Sequence, residues 1–150
     1  MRRLLAGGAL VALALVTSCG DPTGVVRDLN VARMRWIARA PDAYEVTVHR
    51  GCFCPESITN AVIVRVRGGV VESRRYAATG ADVPANFAQA FPSVDEMFGI
   101  IDDARAQDAD QIDATYDAAY GFPAQVYIDY SYGWADDESW FGFTDFHLVQ

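Results

Sequence analysis

A glycine pair between two valine-containing runs constrains the fold of this 150-residue sequence more than any other feature. Gly68 and Gly69 separate the run AVIVRVR from the run VVESRRY. Two adjacent glycines suit the positive φ angles of a two-residue loop, so both runs are predicted to be strands of one β-hairpin. Several arginines lie along this hairpin. Some of them are expected on the outward face, where their charge protects the sheet edge from pairing with another chain.

Four other segments have the alternation of apolar and polar residues that is typical of half-buried strands. They are residues 44–50, 111–117, 124–132 and 139–149. In the last of these the apolar phase changes around Gly142, which predicts a β-bulge there. Short turns between the segments favour antiparallel neighbours.

Two helices complete the predicted fold. Residues 25–40 form one, which ends before Pro41. Ser93 and Glu96 form a capping box that opens the second, which is expected to end near Gln107. The first helix has an apolar stripe made of Val31, Met34, Ile37 and Ala38. The element order α-β-β-β-α-β-β-β predicts an α+β domain, with two helices on one face of a curved, mostly antiparallel sheet of five to six strands.

The N-terminus has the features of a bacterial lipoprotein leader. Arg2 and Arg3 precede an apolar run, residues 4–16, that is too short to span a bilayer. Val16-Thr17-Ser18-Cys19 then resembles a lipobox, whose cysteine becomes the lipidated mature N-terminus. We therefore predict a signal peptide over 1–18, lipidated Cys19 with a tether over 19–24, and a single domain over 25–150. The domain is expected in the cell envelope, anchored to a membrane and facing the periplasm or the exterior.

The charge is unevenly distributed along the chain. Residues 24–94 hold nine arginines and six acids, whereas residues 95–150 hold thirteen acids and only Arg105. A nucleic-acid-binding protein would show a basic face, so the acidic half argues against that class of partner. The sequence has no nucleophile–base motif and no glycine-rich phosphate loop, so we expect no catalytic residues, no cofactor and no enzyme activity.

Several motifs occur in an order that is similar to a known family. They are the lipobox, Trp36 in the first helix, the strand Y-x-V-x-V-x-R-x-C-x-C-P at 44–55, the glycine hairpin, the helix with DEMF, and Y-D-x-x-Y-G-F-P at 116–123. The chain thus resembles small bacterial lipoproteins known only as a domain of unknown function. The resemblance implies the fold and location given above, and it implies no activity.

Cys52 and Cys54 are the only cysteines left once Cys19 is lipidated. In an oxidising compartment they are expected to pair, provided that a turn shortens their separation from that of an extended strand. Such a bridge would lock a corner between strands. Two alternatives stay open, thiol exchange and a metal site. The metal site would take its ligands from His49, Cys52, Cys54 and His147, a tetrahedral set of two thiolates and two imidazoles.

Aromatic residues are concentrated in the last predicted hairpin, more than one core requires. Some are expected to pack under a helix, and any that stay exposed would form a contact surface. The candidate surface consists of Tyr127, Trp134, Trp140 and Phe141. We therefore predict a non-catalytic binding or accessory module whose partner is an envelope protein or a small ligand. The alternative is a metal- or thiol-handling protein centred on Cys52 and Cys54.

Overall fold

A computed structural model describes residues 22–150, which form six strands and several helices. The predicted α+β class and the element order are confirmed, and two short helices are added between the predicted elements. The predicted signal peptide and Cys19 lie outside the described residues. The helices are α1 (Pro22–Arg39), α2 (Glu56–Thr59), a 3₁₀-helix (Ala85–Ala90) and α3 (Val94–Ala106). The strands are β1 (Ala43–Gly51), β2 (Val62–Arg67), β3 (Val70–Tyr76), β4 (Gln111–Tyr116), β5 (Pro123–Asp129) and β6 (Ser139–Leu148).

The six strands form one antiparallel sheet in the order β3-β2-β1-β6-β5-β4. Strands β1 and β6 pair at its centre, so the first and last strands of the chain join two three-stranded halves. The hairpin between β2 and β3 turns at Gly68 and Gly69, whose φ angles are +56° and +75°. The glycine pair therefore has the role that the sequence predicted.

The core lies on one face of the sheet, beneath the helices. Alternate residues of β1, β2 and β5 point to this face, as the period of a half-buried strand requires. Helix α3 contributes Met97 and Ile101, which are fully buried. The side chains of the sheet that are at most 1% exposed are Tyr44, Val46, Val48, Val62, Val64, Val66, Val126 and Ile128.

Helix α1 buries a different face from its most obvious apolar stripe. Val31, Met34 and Ile37 are 54%, 65% and 67% exposed. Because the helix carries two apolar stripes, spacing alone could not tell which one faces the sheet. Trp36 decides the orientation, since its large ring buries more apolar surface than any side chain of the other stripe. The buried face consists of Leu29, Ala32 and Trp36.

The bulge in β6 lies closer to the C-terminus than predicted. Gly142 pairs with His49 in an unbroken ladder, so the predicted bulge there is wrong. The register between β1 and β6 shifts where Asp145 and Phe146 oppose the single residue Val46, and Asp145 has a φ of +50°. The extra residue turns the Phe146 ring toward the core, where it stacks on Phe122 with 4.7 Å between ring centroids. The apolar phase change in the sequence thus reflects a bulge three residues further on.

Helix α1 packs against the turn between β4 and β5. The Asp117 carboxylate accepts hydrogen bonds from the backbone N–H groups of Ala119 and Tyr120, at 2.9 and 2.6 Å. Gly121 follows with a φ of +85°, and a side chain there would collide with the carbonyl oxygen of Ala32 in α1. Glycine therefore lets the helix backbone approach the turn closely.

The predicted capping box at the start of α3 is confirmed. The Ser93 hydroxyl accepts a hydrogen bond from the Glu96 N–H at 3.3 Å, and the Glu96 carboxylate accepts one from the Ser93 N–H at 2.6 Å. Arg74 of β3 donates to the same carboxylate at 2.6 Å. The cap thus links the helix to the sheet edge.

The cap predicts a pH dependence of stability. Burial by itself would raise the pKa of Glu96, but the Ser93 N–H and the Arg74 guanidinium outweigh it and lower this pKa below its ordinary value. A carboxylate with a lowered folded-state pKa stabilises the fold above its unfolded-state pKa, and this contribution is lost as the pH falls through the folded-state pKa. We expect Glu96→Gln to lower the free energy of unfolding at about pH 7 more than at about pH 3.

Urea unfolding at both pH values measures this difference. Asp103→Asn, at an exposed position of the same helix, is the matched control and should change stability little at either pH. A loss for Glu96→Gln that is equal at both pH values would show that the carboxylate charge does not contribute to the cap.

Candidate functional site

The face of the sheet opposite the helices is open, and it carries the candidate site. Its residues alternate with the core residues along each strand and remain partly or fully accessible. On β1 they are Glu45, Thr47 and His49, and on β5 they are Gln125, Tyr127 and Asp129. An antiparallel sheet commonly leaves one face in water, and this face then has room for a ligand.

Trp140 lies flat on this open face above two glycines. It pairs with Gly51 of β1 and with Tyr127 of β5. A Cβ atom added to Gly142 would stand 2.6 Å from the indole, and one added to Gly51 would stand 3.5 Å from it. Gly142 therefore leaves the space that the ring occupies, whereas a Cβ atom at Gly51 would make ordinary van der Waals contact with it. Trp140 is 38% exposed.

Trp140 and Tyr127 together form an aromatic patch, the name used below for these two residues. The patch borders a cleft of about 300 Å³ whose other walls include Asp113, Thr115 and Gln125. Aromatic faces next to hydrogen-bonding side chains suit a ligand that presents both apolar and polar groups. The patch therefore combines an apolar aromatic surface with a polar rim.

Unpaired carboxylates surround the aromatic patch. The phenol of Tyr127 has a raised pKa, through desolvation and then through the negative charges of Asp129 and Glu138. The pKa of Asp129 is also raised, mainly by desolvation and next by the negative charge of Asp137. One carboxylate oxygen of Asp137 is buried without a hydrogen-bond partner among the described residues. In residues 22–150, the acids of this group form no salt bridge: Asp110, Asp113, Asp129, Asp137 and Glu138.

The other half of the open face is electrostatically balanced. Arg65 contacts Glu45 at 3.0 Å and Glu72 at 3.1 Å, and Arg67 contacts Glu72 at 3.1 Å. These arginines lie outward on the sheet, as the sequence predicted. Because the charges on this half are largely paired with one another, the unbalanced charge lies on the half that carries the aromatic patch.

The remaining two residues of the predicted surface differ in position. Trp134 is 76% exposed in the connection between β5 and β6. Phe141 is only 4% exposed and belongs to the core, so its place on the predicted surface is wrong. The reason is strand alternation, because Trp140 points outward and its neighbour must then point inward. Arg50 lies over the buried Phe141 ring, with its guanidinium 5.3 Å from the centroid.

Cys52 and Cys54 lie at disulfide-bonding distance, with 2.05 Å between their sulfurs. Their Cα atoms are 5.2 Å apart, because a tight turn with a hydrogen bond from the Cys54 N–H to the Cys52 carbonyl shortens the chain. The turn is the condition that the sequence required for pairing. It leaves Phe53 at the tip, 88% exposed.

The side chains of the alternative metal site are not brought together. His49 Nε2 contacts Thr144 Oγ1 at 3.0 Å. His147 instead contacts Glu45 at 3.3 Å, and Glu45 lies four residues from His49 along β1. Both sulfurs are engaged with each other. Across residues 22–150, no group of three or more His, Cys, Asp or Glu side chains is arranged to hold a metal ion.

A family model described as a family of unknown function, DUF6174, matches residues 28–148. The chain belongs to the DUF6174 family. No curated protein and no solved structure matches it. The DUF6174 match covers all six strands of the sheet, and so includes the aromatic patch and the cysteine pair. Within residues 22–150 of this DUF6174 protein, no helix is long and apolar enough to cross a membrane.

Sequence reasoning missed two exposed aromatic residues of the DUF6174 domain. Phe53 could have been found, because the middle residue of a Cys-x-Cys turn has no neighbour to cover it. Tyr132 is 68% exposed, and its hydroxyl donates to the carbonyl of Asp110 at 3.3 Å. This contact links the β5–β6 connection to the start of β4. No local sequence pattern predicts it.

Proposed function

We propose that this protein is a lipid-anchored protein of the cell envelope whose domain acts as a non-catalytic binding module. The aromatic patch on the open sheet face is its contact surface. The observation that carries this proposal is the indole of Trp140, which lies over Gly51 and Gly142 and is still exposed. Aromatic side chains offer a large contact area and have few rotatable bonds, so they lose little conformational entropy on binding and are frequent in binding surfaces.

The partner we propose is a basic segment of another envelope protein. Carboxylates surround the patch, and the raised pKa of Asp129 means that its charged form is disfavoured in the free domain. A cationic group would offset the desolvation and the charge repulsion that raise this pKa, and arginine or lysine side chains also bind the faces of Trp and Tyr rings. Charge and ring chemistry thus favour the same partner.

The anchor is supported by the N-terminal sequence. The apolar run over 4–16 is followed directly by Val16-Thr17-Ser18-Cys19. Acyl chains on Cys19 would hold the domain at a membrane, and two or more chains are needed for stable attachment. The binding module would then act on partners that come within reach of that membrane.

Replacing Trp140 with alanine should weaken the binding of a hexa-arginine peptide about tenfold or more, the loss expected at the centre of a contact surface. Isothermal titration calorimetry at low salt measures the affinity, and added salt should weaken the binding of the wild type. The matched control is Val70→Ala, an exposed apolar side chain on β3 at the far side of the sheet. Equal affinities for the two variants would contradict the placement of the site.

Gly142→Ala tests the same site without removing the ring. Its methyl group would occupy the space beneath the indole, so Trp140 should swing into solvent and peptide binding should fall as in Trp140→Ala. The indole is the far end of a rotatable side chain, so the fold should be retained. A more exposed Trp140 with unchanged affinity would show that the position of the ring over Gly142 is not needed for peptide binding.

A further inference from the structure

The exposed face of α1 is the second unusual surface of the domain. Val31, Met34 and Ile37 follow one another at intervals of three residues on the side opposite Leu29 and Trp36. All three project into solvent among the described residues. Single exposed apolar residues are common, but a continuous apolar stripe on one helix is typical of an interaction surface.

The charge of α1 is opposite to that of the rest of the domain. The helix holds four arginines and one aspartate, whereas residues 40–150 hold six arginines and eighteen acids. Arg33 is paired with Asp102 at 2.7 Å, whereas Arg35 forms no salt bridge within residues 22–150. Arg39 donates a hydrogen bond to the backbone carbonyl of Ala119. The helix is therefore a basic, partly apolar strip on an acidic domain.

The position of α1 in the chain indicates what covers this strip. The helix begins at Pro22, three residues after Cys19. So short a connection keeps the start of the helix within about 10 Å of a lipidated Cys19 and therefore close to the membrane that holds the lipid. Since the helix is about 27 Å long, it can lie along the membrane surface with its exposed face toward the lipid.

We propose that α1 docks on the surface of an anionic membrane, with Val31, Met34 and Ile37 in the boundary between headgroups and acyl chains. Arginines beside an apolar stripe suit the anionic headgroups and the apolar region below them. The acidic remainder of the domain is repelled by the same headgroups, so it faces away. Docking of this kind rests on the proposed lipid anchor.

A second copy of the chain fits this surface less well than a membrane does. Two α1 helices packed face to face would bring eight arginines together, against two aspartates of the helices and the two Asp102 carboxylates that pair with Arg33. Like charges at that density oppose association, whereas an anionic membrane supplies the opposite charge. Charge complementarity therefore favours the lipid surface.

A spin label at position 34 tests the docking on the lipidated mature chain. Met34→Cys would introduce the only free thiol, because Cys19 would carry lipid and Cys52 is paired with Cys54. Labelled protein is reconstituted in vesicles of phosphatidylglycerol and phosphatidylethanolamine, and collision with oxygen and with a water-soluble nickel complex measures the depth of the label. The matched control is Val70→Cys, which is also strongly exposed. Intact mass and vesicle flotation of the same samples report acylation.

We expect an acylated chain that floats with the vesicles, a lipid-like collision ratio at position 34 and a water-like ratio at position 70. A floating chain whose two labels are equally water-like would overturn the docking and leave the anchor intact. An unacylated chain that does not float would overturn both. Spin–spin broadening at position 34 without vesicles would indicate a second copy on this face and would also overturn the docking.

Discussion

Replacing Trp36 with alanine should lower the free energy of unfolding by about 4 kcal/mol, the usual loss when a buried tryptophan is removed. Trp36 is 2% exposed and lies between α1 and the sheet. Its ring meets three other rings edge to face, with centroid distances of 5.5, 6.4 and 6.1 Å to Tyr44, Phe122 and Phe146. Its indole N–H donates to Asp95 at 2.9 Å, so the same side chain also links α1 to α3.

Urea unfolding followed by far-ultraviolet circular dichroism measures this loss. Trp36→Phe should recover much of the stability, because it keeps an aromatic ring in the core. It still loses the extra volume of the indole and the contact with Asp95, whose carboxylate is exposed enough to be hydrated. Trp134→Ala removes an exposed indole and should change stability by less than about 0.5 kcal/mol. Equal losses for Trp36→Ala and Trp134→Ala would show that α1 does not pack on the sheet through Trp36.

Replacing Gly121 with alanine should have the second largest effect, a loss of about 3 kcal/mol. The residue has a φ of +85°, which disfavours any side chain. The added Cβ would also collide with the carbonyl oxygen of Ala32 and stand 2.9 Å from Cβ of Arg35. Because the first of these atoms belongs to the helix backbone, the clash can be relieved only by moving α1 or the turn.

Gly80→Ala separates the two causes of this loss. Gly80 has a φ of +70°, but nothing lies within 4 Å of the position that its Cβ would take. This variant should therefore lose only the backbone contribution, about 1 kcal/mol. If both variants lost the same free energy in urea unfolding, the close approach of α1 to Gly121 would not contribute to stability.

The elements of the fold were predictable wherever a local pattern decides the structure. The glycine pair at 68 and 69, the capping box at Ser93 and the alternation of β1 each act over a few residues, and each appears as predicted. The buried face of α1 was not predictable, because the helix carries two apolar stripes and the choice depends on what the sheet presents to it. The bulge at Asp145 was misplaced for a similar reason, since register is decided by the partner strand.

The candidate site was predictable in part. Alternation along β5 and β6 places Tyr127 and Trp140 on the same face, so their pairing follows once the strands are known. The same alternation excludes Phe141, and applying it strictly would have removed this residue from the surface. The contact between Trp140 and Gly51 was not predictable from the sequence. It depends on the pairing of β1 with β6, and the two residues are far apart in the chain.

The two exposed surfaces suggest a division of roles in the domain with its proposed lipid anchor. We propose that α1 faces the membrane through its arginines and its apolar stripe, while the open sheet face binds a basic partner through the aromatic patch. The uneven charge along the sequence supports both proposals, because it separates a basic helix from the acidic half that carries the patch.

The binding of a basic segment by the aromatic patch is tested most directly by nuclear magnetic resonance of the three indole N–H groups. Hexa-arginine is titrated into the ¹⁵N-labelled domain at low salt, with hexaglutamate as the control. We expect hexa-arginine to shift the Trp140 resonance most, the buried Trp36 resonance to stay in place, and hexaglutamate to shift neither. A Trp140 resonance that does not move while hexa-arginine is added would contradict the proposed binding surface.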